Sequence, residues 1–213
     1  MKEHLFKLGA LACLLGASSA HSQTLNWSSF APSTTVDSTG TALNETFLFQ
    51  LGSFDASFVP TAYNVGEWME YWHVFGSADY SVATGTFSGS QNVQLVDHYA
   101  AAGVDPPMFE GLKAYIWIRN TSSTEYFLAS SVTWQFPTLD SGCCPNGDEQ
   151  ITTWSVSQMD TPIWGSSGND HGAGDYDNAG GPYDIQTHAV PETTSAMLAL
   201  FACGVALLRR SRA

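Results

Sequence analysis

Basic residues are scarce in the long middle part of the chain. Between residues 21 and 190 only Lys113 and Arg119 are basic, against 18 aspartates and glutamates, so that the formal net charge of this segment is −16. A surface of this charge repels nucleic acid and anionic membranes. We therefore expect no nucleic acid partner. The charge suits calcium or neutral glycans, and solubility of a secreted protein explains it equally well.

Cysteine is also scarce, with four residues in the whole chain. Cys13 and Cys203 lie in the apolar terminal segments, which leaves Cys143 and Cys144 next to each other. Two adjacent cysteines cannot build a disulfide framework within one chain. They are candidates for a vicinal disulfide, for a reduced pair or for a bridge to a second chain.

Recognisable catalytic motifs are missing as well. No Gly-x-Ser-x-Gly elbow occurs. After residue 21 the histidines are His73, His98, His171 and His188. Their spacing singles out no serine or aspartate partner. Glu67 and Glu70 could serve glycoside hydrolysis, but at the start of a short helix they are more typical of helix-dipole partners. We predict no enzyme, and a hydrolase with an unrecognised site is the second alternative.

The chain does have a targeting segment at its N-terminus. Lys2 and Lys7 form a basic region, and residues 8–15 form an apolar core. Small residues follow at Ser18, Ser19 and Ala20, where cleavage is expected. This order predicts a secretory signal peptide over residues 1–20, and hence an exported protein.

A second apolar segment lies near the C-terminus. Val190, Pro191 and Glu192 precede an apolar block over residues 196–208. The basic residues Arg209, Arg210 and Arg212 follow, and such clusters stay on the cytoplasmic side of a bilayer. We predict a transmembrane helix at about residues 194–208 with a basic tail at 209–213. It falls short of the roughly 20 apolar residues of a full span, which suits a transient anchor.

Residues 190–213 resemble the PEP-CTERM sorting signal of bacterial surface proteins. That signal joins a Val-Pro-Glu-Pro motif, one hydrophobic helix and a basic cluster, and here Thr193 replaces the second proline. The resemblance implies recognition and cleavage by an exosortase-type enzyme. The protein would be anchored in the membrane through its C-terminus and then reach the cell surface or the extracellular matrix. An ordinary single-span tail anchor is the alternative.

The segment 21–189 has the pattern of one all-β domain. Short β-prone runs alternate with turn residues. The predicted strands are 46–54, 80–87, 92–96, 112–119, 125–128, 132–136, 151–156 and 183–187. The run 112–119 is bulky on both faces, which predicts a central strand. We expect a single antiparallel β-sandwich or jelly-roll-like domain.

One segment has helical spacing instead. Asn64 and Glu67 match a capping box, and Trp68 and Trp72 stand four residues apart. This pattern predicts a short helix over residues 65–73 with Asn64 as its N-cap.

A glycine-rich run over residues 168–181 carries the candidate metal ligands. Asp170, Asp175, Asp177 and Asn178 offer hard oxygen atoms at short spacing, and the glycines would let backbone carbonyls turn inward, as calcium sites require. We expect calcium if a metal binds here. An acidic loop without a ligand is the alternative.

Four tryptophans are candidates for stacking on sugars. They are Trp68, Trp72, Trp154 and Trp164. An aromatic ring beside acidic and amide groups can stack on a sugar and hydrogen-bond its hydroxyls. The alternative is that all four fill the core. The sequence thus predicts a non-enzymatic surface or matrix protein, with a carbohydrate-binding module, calcium-dependent or not, as the first alternative and exopolysaccharide as the expected partner.

Overall fold

The computed structural model describes residues 23–30, 32–93, 109–121, 124–138, 150–168, 170–177 and 184–191. The predicted signal peptide, the cysteine pair and the predicted transmembrane helix lie outside these ranges. Within them the chain is mostly β, with one short helical segment and a curled sheet. None of the described helices is both long and apolar enough to cross a bilayer.

The described residues form thirteen strands and three short helical turns. The strands are β1 (Gln23–Ser28), β2 (Thr35–Val36), β3 (Phe47–Phe54), β4 (Trp72–Ser81), β5 (Thr86–Val93), β6 (Lys113–Asn120), β7 (Glu125–Gln135), β8 (Gln150–Ser155), β9 (Thr161–Trp164), β10 (Ser166–Ser167), β11 (Asp170–His171), β12 (Ile185–Gln186) and β13 (His188–Ala189). A 3-10 helix (Ala62–Glu67) runs into α1 (Trp68–Tyr71), and a second 3-10 helix spans Val156–Gln158.

Two sheets organise these strands. The large sheet has nine strands in the order β13-β7-β6-β3-β4-β5-β1-β8, with β9 also paired to β7. The small sheet has the order β11-β10-β12-β2. Glu125 of β7 links the large sheet to residues that follow β2 and β12 of the small sheet. Its carboxylate accepts from the Ser38 N–H at 3.2 Å and from the Thr187 hydroxyl at 2.8 Å.

Strand β6 lies at the centre of the large sheet, between β3 and β7. Its side chains alternate between the two faces, as strand geometry requires. Ile116 and Ile118 enter the main core, whereas Tyr115 and Trp117 enter a separate aromatic cluster. All four are buried. The prediction of a central strand with bulky residues on both faces is confirmed.

The main core fills the inside of the curled sheet with aliphatic and aromatic side chains. Trp27 of β1 is one of its fully buried residues and lies against β4 and β5. Its indole lies so close to Gly76 and Gly89 that an added Cβ would come within 2.5 and 2.2 Å of it. Glycine at these two positions therefore makes room for the ring.

The outer face of the sheet carries the aromatic cluster, which comprises Phe54, Trp68, Trp72, Tyr115, Trp117, Leu128 and Trp164. The helical segment 62–71 covers it. The predicted helix over 65–73 is thus right in place but wrong at both ends. Asn64 does not act as the N-cap: its Oδ1 accepts from the Thr61 N–H at 2.8 Å and from the Trp68 indole N–H at 3.0 Å. At the other end, Trp72 begins β4 opposite Phe54.

Several strand predictions also need correction. The predicted strand 80–87 straddles the turn between β4 and β5, and the predicted strands 125–128 and 132–136 are one continuous strand, β7. The predicted strand 183–187 corresponds to β12, which ends at Gln186 before β13 begins at His188. The sequence pattern did not predict β1 or most of β4. In β4 the reason is that much of the strand is only half buried and lacks a clean alternation of buried and exposed residues.

Candidate functional site

The predicted processing motif begins at the last described residues, Val190 and Pro191. Ala189 pairs with Glu125 in the large sheet, and the Val190 N–H donates to the Thr124 carbonyl at 2.6 Å. The Val190 side chain packs on the aromatic cluster, and Pro191 is exposed directly after it. The first two residues of the motif, Val190 and Pro191, are therefore held against the domain without a spacer.

A groove of about 620 Å³ lies beside this junction. Its lining residues include Tyr63, Met69, Tyr126, Trp164, Val190 and Pro191. Tyr63 and Met69 belong to the helical segment and are exposed. The C-terminal end of the described chain thus borders a mainly apolar depression.

A buried histidine anchors the strand that leads to the junction. The Ser166 Oγ lies 2.7 Å from His188 Nε2 and 2.7 Å from His171 Nδ1, and His188 Nδ1 lies 2.7 Å from the Ala173 carbonyl oxygen. A carbonyl only accepts, so His188 Nδ1 carries the proton. In the neutral ring Nε2 then accepts from the Ser166 hydroxyl, which in turn accepts from His171. We call these three side chains, with Ala173 O, the histidine network.

The ring of Tyr176 covers the histidine network. It stacks on His188 with ring centroids 4.2 Å apart and on His171 at 5.5 Å. His188 is fully buried, whereas His171 is exposed. The network therefore runs from the surface of the small sheet to a side chain that water does not reach.

Burial is the main cause that lowers the pKa of His188 below its usual value. The hydrogen bond to Ala173 O opposes this shift, the charge of His171 adds to it, and the carboxylates of Glu125 and Asp175 oppose it. A lowered pKa favours the neutral ring, in which Nδ1 donates to the Ala173 carbonyl and Nε2 accepts from the Ser166 hydroxyl.

Ser166 is hydrogen-bonded to one nitrogen of His188, and the other nitrogen is bonded to a carbonyl. A catalytic serine nucleophile and its histidine base are connected in the same way. Ser166, however, is only 3% exposed and its backbone lies in the middle of the small sheet. A substrate carbonyl would not reach its hydroxyl in this conformation. What the arrangement does is tie β10, β11 and β13 together and so fix the start of the C-terminal segment.

An open pocket lies at the next residue of the same strand. Side chains of neighbouring strand residues point to opposite faces, and Ser167 lines a pocket of about 410 Å³. Its lining residues include Phe30, Ser33, Met159, Ser167, Asp170 and Asp184. We call this the serine–aspartate pocket. Asp184 is held in place because its Oδ2 accepts from the Thr34 N–H at 2.6 Å.

The candidate metal ligands occupy separate places. Asp170 lies in β11 beside the serine–aspartate pocket, whereas Asp175 is bonded through its backbone to Ala189, and the Asp177 N–H donates to Ser38 O at 2.8 Å. All three are exposed, and Asn178 lies outside the described residues. Within the described part of the chain, no three His, Cys, Asp or Glu side chains form a group that could hold a metal ion. A calcium site that includes Asn178 stays a prediction.

The four candidate tryptophans are core residues. Trp68, Trp72 and Trp164 belong to the aromatic cluster, and Trp154 belongs to the main core, where it stacks on Trp134 with centroids 5.5 Å apart. None of the four is more than 9% exposed. The stacking hypothesis is therefore wrong for these rings as they stand in the fold, because a buried ring presents no face to a sugar.

The remaining predicted residues lie outside the described ranges. They are Cys143, Cys144, Glu192, Arg209, Arg210 and Arg212. Conversely, no sequence pattern indicated Ser33 or Ser166, because an isolated serine belongs to no recognisable motif. Phe30, the exposed aromatic residue at the pocket, was not predicted either, because it also belongs to no recognisable motif.

No protein family, curated protein or solved structure matches this chain.

Proposed function

We propose that the protein is a non-enzymatic exported surface or extracellular-matrix protein, sorted by its C-terminal segment. A signal peptide over residues 1–20 would direct export. The apolar segment at 194–208 would hold the chain in the membrane until an exosortase-type enzyme acts at Val190, Pro191 and Glu192. The delivered part is the β-sandwich-like domain, residues 21–189. Its strands are not all antiparallel, contrary to the sequence prediction, because β1 pairs with β8 and β2 with β12 in parallel.

The junction at Val190 is the observation that carries this proposal. The domain is hydrogen-bonded up to the Val190 N–H, and Pro191 is exposed at once after it. Proline ends the strand because it has no N–H to donate. Pro191 is exposed directly after the packed Val190, so that an enzyme could reach the motif at Pro191 while the domain stays folded.

The acidic charge of the domain supports its delivery to the outer surface or to an exopolysaccharide layer. A segment with a formal net charge of −16 is repelled by anionic lipid headgroups. Once the tail is removed, the domain would leave the membrane for the outer surface or an exopolysaccharide layer. Exopolysaccharide is accordingly the proposed partner.

The test is the C-terminus of the mature protein from cells of the producing bacterium. Mass spectrometry should show wild-type protein that ends near the motif and lacks the apolar segment. A variant with Pro191→Ala and Glu192→Ala should keep the whole tail and stay in the membrane fraction. The control is Glu67→Ala, an exposed carboxylate on the helical segment, which should be processed as in wild type.

An intact tail on all mature wild-type protein would contradict the proposal and favour an ordinary tail anchor. Processing of the double variant at the wild-type level would show that the motif is not the recognised feature.

A further inference from the structure

The serine–aspartate pocket combines three kinds of groups around one depression. Serine hydroxyls come from Ser33 and Ser167, carboxylates from Asp170 and Asp184, and an aromatic ring from Phe30. Phe30 is 61% exposed, so that its face is accessible to a ligand. The volume of about 410 Å³ lies within the range of roughly 300–1,000 Å³ typical of small-molecule sites.

An unsatisfied hydroxyl points to a ligand here. Ser33 is nine-tenths buried, and its Oγ has no hydrogen-bond partner among the described residues. Buried hydroxyls are normally paired, and an unpaired one calls for an explanation. Rotation about χ1 of a serine lets its hydroxyl reach groups in different directions. A ligand with hydroxyl groups that enters the pocket would supply the missing partner.

The charge of the pocket selects among such ligands. Lys113 and Arg119 are the only basic residues between positions 21 and 190, and both lie on β6, away from the pocket lining. A ligand carboxylate or sulfate would therefore face Asp170 and Asp184 without a compensating cation. Hydroxyl groups and ammonium groups, in contrast, donate to these carboxylates.

We propose that the serine–aspartate pocket binds a neutral or amino-sugar residue of a polysaccharide. The sugar ring stacks on Phe30, its hydroxyl or ammonium groups donate to Asp170 and Asp184, and Ser33 gains a partner. This site goes beyond the proposed sorting function and does not depend on processing of the tail. It also lies away from the four tryptophans that the sequence suggested for this role.

The test is binding of oligosaccharides to the full-length chain in detergent. Oligomers of glucose and of glucosamine should bind, whereas oligomers of glucuronic acid should not. Phe30→Ala and Asp170→Asn should each weaken binding by about fivefold or more, since each removes one of a few direct contacts. Both residues are exposed, so these variants are expected to fold.

Two matched substitutions serve as controls. Tyr63→Ala removes an exposed aromatic ring at the groove beside the junction, and Asp175→Asn removes an exposed carboxylate that does not line the pocket. Both should leave binding unchanged.

Three results would overturn the proposal. They are equal binding of glucuronic acid oligomers, equal losses in the control variants, and no binding of any of the three sugars. Loss of binding in a chelator would overturn the direct contacts, because a cation would then hold the sugar. Each result is independent of whether the tail is cleaved, so failure here and failure of the sorting proposal are separable.

Discussion

Ser166 and Ser167 are neighbours in β10 and lie in opposite environments. Ser166 is bonded to two histidines within the histidine network, whereas Ser167 lines the open serine–aspartate pocket. On one face of this short strand the Ser166 hydroxyl and both ring nitrogens of His188 have partners. On the other face the hydroxyl of Ser33 is buried and has none among the described residues.

The difference separates a structural role from a binding role. A satisfied buried network stabilises one arrangement of the chain, because breaking any bond leaves a buried polar group unpaired. An unpaired buried hydroxyl opposes folding, and the proposed ligand would supply its partner. The same residue type thus supports the fold on one face and the proposed ligand on the other.

The largest effect is expected where the network is most buried. His188→Leu removes two buried hydrogen bonds, so that the Ala173 carbonyl keeps only the Gly165 N–H and the Ser166 hydroxyl keeps only His171 as a partner. This loss should lower the free energy of unfolding by about 1–3 kcal/mol. His171 makes an equally short bond to Ser166 but is exposed, so His171→Leu should lower it by less than about 1 kcal/mol. Urea unfolding of the full-length chain in detergent, followed by tryptophan fluorescence, measures both. Equal losses would contradict the assignment of His188 as the anchor.

A pH dependence of stability is the next effect in size. Burial lowers the pKa of His188 in the folded state, so that below the ordinary value of about 6.5 the unfolded chain takes up a proton more readily than the folded one. The contribution of His188 should be fully present above about pH 6.5. It should then fall with falling pH by at most about 1.4 kcal/mol per unit, and level off below the folded pKa.

The same unfolding measurement between pH 8 and 5 checks this (roughly the range over which histidine titrates). The slope assigned to His188 should disappear in His188→Leu and persist in His171→Leu. An unchanged slope in the first variant would show that other groups cause the dependence.

The smallest effect is expected at the pocket, with the opposite sign. Ser33→Ala removes a buried hydroxyl that has no partner, so stability should stay the same or rise by up to about 1 kcal/mol. Ser166→Ala removes a hydroxyl with two partners and should lower stability by about 1–2 kcal/mol. Thermal unfolding of the two alanine variants compares them directly. A loss in Ser33→Ala as large as in Ser166→Ala would mean that Ser33 supports the fold.

Side-chain alternation in β6 was predictable because one strand's faces follow from its own sequence. The end of the helical segment was not. Helical spacing continued through Trp72, but Trp72 pairs with Phe54 in the sheet, and this contact comes from a distant part of the chain. Among the candidate site residues, the burial of Trp68 and Trp164 was one of the two alternatives that the sequence left open. Only the packing of the helical segment over the sheet decided between them.

The amino-acid sequence by itself determined the acidic charge of the middle segment, its β-rich character and the apolar and basic pattern at its two ends. These properties depend on composition and on near neighbours along the chain. The tertiary structure decided which polar groups meet. Ser166 and His188 are 22 residues apart, and only the pairing of short strands brings them to one buried bond. Phe30 and Asp170 likewise come together only in the fold. The pocket that they line is formed by segments that are far apart in the chain, and no local sequence pattern shows which distant segments will meet.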